Sequence, residues 1–145
     1  MWSSPRDDQI AGPAYLKTLA YVDTRRLVVA GCSFGGIQTL LAAERGVGYR
    51  AAVAISTGAL SWNGNPPLRD RLVAAARKIE IPVFLIQSTK DASLEPSRVL
   101  GAELERRGKQ NLVKVYLLRR CQGHARVGAG RRQVLRGERS GEPSA

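Results

Sequence analysis

Short apolar runs alternate with amphipathic stretches along this chain. Apolar residues at helical spacing predict four helices, over about 7–21, directly after Ser33, over 68–78 and over 96–108. Four runs have the length and apolar content of buried strands, at 27–30, 49–55, 81–86 and 113–118. This regular alternation predicts an α/β fold with a mostly parallel sheet, right-handed crossovers and helices on both faces, a three-layer α/β/α arrangement.

Two stretches interrupt that pattern. Pro13 disturbs the first predicted helix if it lies inside it, so the helix could instead begin at that proline. Residues 57–67 are rich in asparagine, glycine and proline, which predicts a long loop without regular structure.

The turn between the first strand and the next helix carries the pattern Gly31-Cys32-Ser33-Phe34-Gly35. G-x-S-x-G between a strand and a helix is the pattern of a nucleophile elbow, in which a strained turn exposes a serine hydroxyl. We expect both glycines to be required because a side chain there would collide with neighbouring backbone. A glycine-rich turn with an incidental serine is the alternative. Cys32 is the weaker candidate nucleophile, because centring the motif on it would put the bulky Phe34 at a small-residue position.

Net charge modifies this interpretation only slightly. The 145 residues carry a formal charge of +11. Much of the excess lies near the end of the chain, where seven arginines face two glutamates between Arg119 and Ala145. Such a region could bind polyanions without specificity, but no recognisable nucleic-acid-binding motif accompanies it. We therefore predict no specific nucleic-acid partner and a disordered basic tail over 125–145.

Cysteine spacing and hydropathy argue against a zinc site, a membrane span and a signal peptide. Cys32 and Cys121 are far apart and accompany a single histidine, which is not a zinc-ligand spacing. We expect free thiols, no metal and no cofactor. No stretch has the apolar length of a membrane span, and the first residues lack the apolar core of a signal peptide. These features predict a cytoplasmic protein without a membrane partner.

Three residue types needed for acyl transfer follow the first, third and fourth predicted strands. Ser33, Asp91 and His124 occur in the order nucleophile, acid, base that is typical of α/β-hydrolases. The carboxyl ends of parallel strands share one edge of a sheet, so these three loops should open on the same side. Glu95 is the alternative acid. The backbone N–H of Phe34, at the start of the elbow helix, is a candidate oxyanion donor.

These motifs carry a family resemblance. Residues 28–36, the strand 81–86 with Asp91, and the pair Gly123-His124 resemble the C-terminal half of a dienelactone hydrolase-like α/β-hydrolase. They are also similar to the catalytic domains of prolyl oligopeptidase-like peptidases. The resemblance covers about residues 7–124 and implies cofactor-free hydrolysis of a small ester, lactone or peptide, with Ser33 as nucleophile, Asp91 as acid and His124 as base. Dienelactone hydrolases proper have cysteine at the nucleophile position, so the substrate stays open.

The resemblance also implies a partial domain over 1–124. The family's first strands and the loop that supplies the second oxyanion donor would precede residue 7, so we expect a truncated chain with an exposed apolar edge at 27–30. That edge suggests self-association. The leading hypothesis is a serine hydrolase acting through an acyl-enzyme on Ser33. An inactive fragment or partner-binding module is the alternative, and a basic nucleic-acid binder ranks last.

Overall fold

The computed structural model describes residues 5–117, which form one sheet and its flanking helices. The helices of this part are α1 (Pro5–Leu16), α2 (Phe34–Glu44), α3 (Pro66–Lys78) and α4 (Glu95–Arg106), with a short 3-10 helix at Thr24–Arg26. The strands are β1 (Val28–Cys32), β2 (Ala51–Ile55), β3 (Val83–Ser88) and β4 (Asn111–Tyr116). The predicted alternation of helices and strands is confirmed.

The four described strands are parallel and lie in the order β1-β2-β3-β4. Cys32 pairs with Ile55, and Ile55 pairs with Ile86, so the strands reach their carboxyl ends side by side. Each strand is thus followed by a loop at the same edge of the sheet, and the predicted α/β class with a parallel sheet is confirmed.

The core lies between one face of the sheet and three helices. Ala52 and Ala54 of β2, with Val83 and Leu85 of β3, are buried, whereas the residues between them are only partly buried. This period of two shows that one sheet face packs against the helices and the other is more open. The helical side of the core contains Ile37, Leu40, Leu72, Ala76, Leu100 and Leu104. These residues belong to α2, α3 and α4, which therefore form the helical layer on this face of the sheet.

A buried carboxylate ties α3 to α4. Glu103, 4% exposed, accepts a hydrogen bond from Arg77 Nε of α3 at 3.0 Å. It also pairs with Arg106 one turn further along α4. Burying a carboxylate is costly unless it is paired, and here two guanidinium groups satisfy it.

The entry to β1 is shaped by a local cap. Asp23 accepts a hydrogen bond from the backbone N–H of Arg25 at 2.9 Å and from Arg26 Nε at 2.8 Å. The hydrogen bond from Arg26, then that from the Arg25 backbone, holds the pKa of the Asp23 carboxyl below its usual value. Its charged form is therefore favoured in the folded chain, and this support weakens as pH falls through that lowered pKa.

Three local expectations need correction. Helix α1 is continuous through a buried Pro13, so the helix does not begin at that proline. Helix α3 already begins at Pro66, inside the predicted loop, because Asn65 caps it by accepting a hydrogen bond from the Leu68 N–H at 3.1 Å. Cys32 is disulfide-bonded, so the expected free thiol is wrong at that position, and Cys121 lies outside the described residues.

Candidate active site at the carboxyl edge of the sheet

Ser33 stands on a strained turn between β1 and α2. Its backbone has φ 56° and ψ −112°, a conformation with positive φ that a residue with a side chain rarely adopts. Such strain costs on the order of 1–3 kcal/mol and persists only where the surroundings enforce it. The Ser33 N–H donates to the Ile55 carbonyl at 2.8 Å, which fastens the turn to the neighbouring strand.

Close backbone contact explains one glycine of the motif. A Cβ at Gly31 would lie 2.3 Å from the Gly35 carbonyl oxygen and 2.8 Å from Thr39 Oγ1. No rotamer could relieve this contact, because the backbone fixes the position of a Cβ and the carbonyl is itself a backbone group. Gly31 is therefore sterically required, as expected.

The second glycine of the motif does not have the expected role. A Cβ at Gly35 would meet no atom within 4 Å beyond its own stretch of helix, so the predicted collision there is wrong. The close approach occurs one residue later, where a Cβ at Gly36 would lie 2.5 Å from Thr57 Oγ1 and 3.0 Å from the Ile55 carbonyl oxygen. The face of α2 that meets β2 passes through Gly36, which the motif alone does not reveal.

The Ser33 side chain is not used to cap the helix. Ser33 occupies the position before α2, where a serine hydroxyl commonly accepts a hydrogen bond from the first turn, yet it makes no such bond. The first N–H groups of a helix have no partner within it. Phe34 is the first residue of α2, so its N–H lies beside the serine at the positive end of the helix dipole.

Asp91 lies in the loop after β3, where its carboxylate is held from within the protein. Asp91 Oδ2 accepts a hydrogen bond from Gln87 Nε2 at 2.7 Å, and the Ser88 N–H approaches the same oxygen at 3.5 Å. Among residues 5–117, no hydrogen bond to Asp91 Oδ1 is formed. One carboxylate oxygen is thus anchored, and the other accepts no hydrogen bond from this part of the chain.

Glu95, the alternative acid, occupies a different setting. It is the first residue of α4, and its Oε1 accepts a hydrogen bond from Arg98 Nη1 at 2.6 Å. This is an exposed pair one helical turn apart, of a kind that is common on helix surfaces. The two candidate acids thus lie in different surroundings, Asp91 beside a buried amide and Glu95 in an exposed ion pair.

Gln87 was missed by the sequence interpretation, which ended the strand at Ile86. Val83, Leu85 and Gln87 alternate along β3 and are all buried, so Gln87 points toward the helices like its apolar neighbours. A polar residue that continues the inward alternation of a strand indicates a buried hydrogen-bonding role. That signal was available in the sequence.

The sheet sets the distance between the candidate nucleophile and acid. One strand separates β1 from β3, so their ends are roughly 10 Å apart at the usual strand spacing. The third candidate, His124, lies outside the described residues; in the chain it follows β4, the strand next to β3. Ser33 and Asp91 are thus at one edge, with a gap between them that a third side chain would have to span.

A family comparison matches the part of the chain that contains this turn. Residues 3–64 match the prolyl oligopeptidase family. The matched segment includes β1, the Ser33 turn, α2 and β2, so the similarity to this family is centred on the candidate nucleophile. A comparison with curated proteins finds no match.

Solved structures of peptidases share the fold. An acylaminoacyl peptidase in complex with Z-Gly-Gly-Phe-chloromethyl ketone is 18% identical with a TM-score of 0.67, covering 86% of this chain and 24% of its own. Dipeptidyl peptidase 4 of Porphyromonas gingivalis is 20% identical with a TM-score of 0.65, covering 78% and 19%. Acylaminoacyl peptidase of Pyrococcus horikoshii is 18% identical with a TM-score of 0.64, covering 77% and 22%. The chain therefore spans less than a quarter of the length of these structures, and the likeness establishes the fold.

Two other features, a metal-binding cluster and a membrane-spanning helix, are absent from the described part of the chain. No group of three or more histidine, cysteine, aspartate or glutamate side chains in 5–117 could hold a metal ion. None of the helices described there is long and apolar enough to cross a membrane.

Proposed function

We propose that this chain carries a serine hydrolase site with Ser33 as nucleophile, Asp91 as acid and His124 as base. The observation that carries the proposal is the positive φ of Ser33 in a turn that Gly31 makes sterically possible. Backbone strain of this kind clusters at functional sites, and in a nucleophile elbow it exposes the serine hydroxyl. The family match over residues 3–64 supports the role of Ser33 alone, because Asp91 and His124 lie beyond the matched segment.

The reaction follows from these roles. Ser33 Oγ attacks the substrate carbonyl carbon while its proton passes to His124, and the new oxyanion accepts a hydrogen bond from the Phe34 N–H. The tetrahedral intermediate then expels the leaving group, which takes the proton from the imidazolium. Water, deprotonated by His124, then attacks the acyl carbon; the acyl–Oγ bond breaks, Ser33 Oγ takes the proton back from His124, and the carboxylic acid product is released. Asp91 holds the imidazole in the required tautomer and stabilises its positive charge.

We favour a peptide as the substrate, either one whose N-terminus is acylated or one that is cleaved a short distance after its N-terminus. The support is that the similar solved structures are acylaminoacyl and dipeptidyl peptidases. Simple esters and lactones, including dienelactones, are the alternative that the sequence resemblance suggested.

Turnover of matched substrates tests this proposal. We expect the chain to hydrolyse an N-acetyl-aminoacyl p-nitroanilide or the corresponding p-nitrophenyl ester, with release of the chromophore lost in Ser33→Ala. The rates of hydrolysis of the anilide and of the ester, each compared with the rate for a dienelactone, assign the substrate class. Hydrolysis that persists unchanged in Ser33→Ala would contradict the assignment of the nucleophile.

The edge of β1 favours a second candidate function, association with another copy of this chain. In the described residues β1 pairs with β2 alone, leaving a row of backbone N–H and C=O groups on its other side. Val28 is 53% exposed, and β1 contains no charged side chain that would oppose a second strand. Antiparallel pairing of two β1 strands across a twofold axis would satisfy these groups mutually.

A charge placed on this edge tests the association. We expect the wild-type chain to sediment as a dimer at micromolar concentration and Val28→Lys to shift it toward monomer, because a lysine opposes pairing at a strand edge. Leu60→Lys is a matched control, since Leu60 is also exposed but lies beyond β2, away from this edge. A wild-type chain that is monomeric throughout would contradict the proposal.

A further inference from the structure

A fully buried amide lies directly behind the candidate acid. Gln87 of β3 is 0% exposed, and its side chain reaches both the loop after β3 and the first turn of α4. Its Nε2 donates to Asp91 Oδ2 at 2.7 Å and to the Ser93 carbonyl at 3.1 Å, and its Oε1 accepts from Ser97 Oγ at 2.5 Å. Strand β3, the loop that carries Asp91 and the first turn of α4 are thus joined by one side chain.

The orientation of this amide is fixed by its partners. A backbone carbonyl and a carboxylate can only accept hydrogen bonds, so the end of Gln87 that faces them must be the NH₂ group. The oxygen end then meets the one neighbour that can donate, the Ser97 hydroxyl. Ser97 is 3% exposed, which keeps water from competing for these bonds. Both amide protons and the amide oxygen are therefore engaged.

The two carboxylate oxygens of Asp91 differ in their hydrogen bonds. Oδ2 takes the charge-assisted bond from Gln87, which is stronger than a bond between neutral groups. Oδ1 receives no hydrogen bond from the described residues. Tilting the carboxylate plane about the Cβ–Cγ bond would break the bond to Gln87, so the amide holds the carboxylate in one orientation.

We propose that Gln87 is a positioning residue for Asp91, holding Oδ2 so that Oδ1 is presented to the catalytic base. This inference rests on the proposed serine hydrolase function and assigns no contact between Gln87 and substrate. Gln87 acts through Asp91 alone, so its loss should matter only while the Asp91 carboxylate is present.

The test is a double-mutant cycle read by the rate at which a fluorophosphonate labels Ser33. Gln87→Met keeps the volume of the side chain but removes both amide donors. We expect it to slow labelling by about tenfold to a hundredfold, the usual range for a lost hydrogen bond to a charged group. In an Asp91→Ala background the same Gln87→Met change should cost no further rate.

Two further variants separate positioning from general destabilisation. Ser97→Ala removes the bond to the amide oxygen but leaves both amide donors, so it should slow labelling less than Gln87→Met. Ala75→Gly destabilises the buried middle of α3 without touching this network, and it should label at the wild-type rate well below its unfolding temperature.

The outcomes distinguish this inference from the function on which it rests. Labelling of Gln87→Met at the wild-type rate, or an equal loss with and without the Asp91 carboxylate, would overturn the positioning role while Ser33 remained the nucleophile. A wild-type chain that fluorophosphonate does not label would overturn the proposed function and, with it, this inference.

Discussion

Asp91→Asn should lower the rate of Ser33 acylation by about 10³–10⁴-fold. An amide in place of the carboxylate neither stabilises the imidazolium nor fixes the productive tautomer of the base. Because asparagine has nearly the same shape, the loop after β3 should keep its structure. The measurement is the acylation rate with an activated ester under single-turnover conditions.

Glu95→Gln provides the matched control for this prediction. It also neutralises a carboxylate near the end of the same loop, but Glu95 is paired with Arg98 on the surface of α4. Its acylation rate should stay near that of the wild-type chain, since exposed pairs of this kind contribute little. A large loss in Glu95→Gln together with a small loss in Asp91→Asn would reverse the assignment of the acid.

Gly31→Ala should destabilise the folded chain by about 3 kcal/mol or more, at the upper end of the effects of overpacking. The added Cβ would lie 2.3 Å from the Gly35 carbonyl oxygen, so either β1 or the start of α2 must move. That movement also disturbs the Ser33 turn, which lies between them. Urea unfolding followed by circular dichroism measures the loss as a lower midpoint.

Gly35→Ala is the control that belongs to the same motif. Its added Cβ would meet no atom within 4 Å beyond its own stretch of helix, and alanine favours a helix over glycine by up to about 1 kcal/mol. We expect its midpoint to be equal to that of the wild-type chain or higher. Equal destabilisation by the two substitutions would contradict the steric account of the elbow.

Much of the fold follows from hydrophobic periodicity. The parallel sheet was predictable because an amphipathic helix lies between each pair of consecutive apolar runs. A helix of this length can connect two strands as a crossover, and strands connected in this way run parallel. Strand ends were less predictable. β1 extends to Cys32 and β3 to Ser88, because Gly31 and Gln87 take part in strand pairing that their residue types do not suggest.

The candidate site was predictable only in part. The position of Ser33 between a strand and a helix follows from the motif, but the role of Gly36 depends on how α2 crosses β2, which is a tertiary contact. The choice between Asp91 and Glu95 likewise depends on which side chains lie beside each carboxylate. Pro13 inside α1 shows the same principle, since its burial was not visible in the local sequence.

The central claim is that Ser33 is an activated nucleophile, and covalent labelling measures this most directly. The chain and its Ser33→Ala variant are incubated with a fluorophosphonate, and intact mass with peptide mapping locates the adduct. The account predicts one adduct per chain on Ser33 and none on Ser33→Ala. A folded wild-type chain that stays unlabelled, or an adduct that remains in Ser33→Ala, would contradict it.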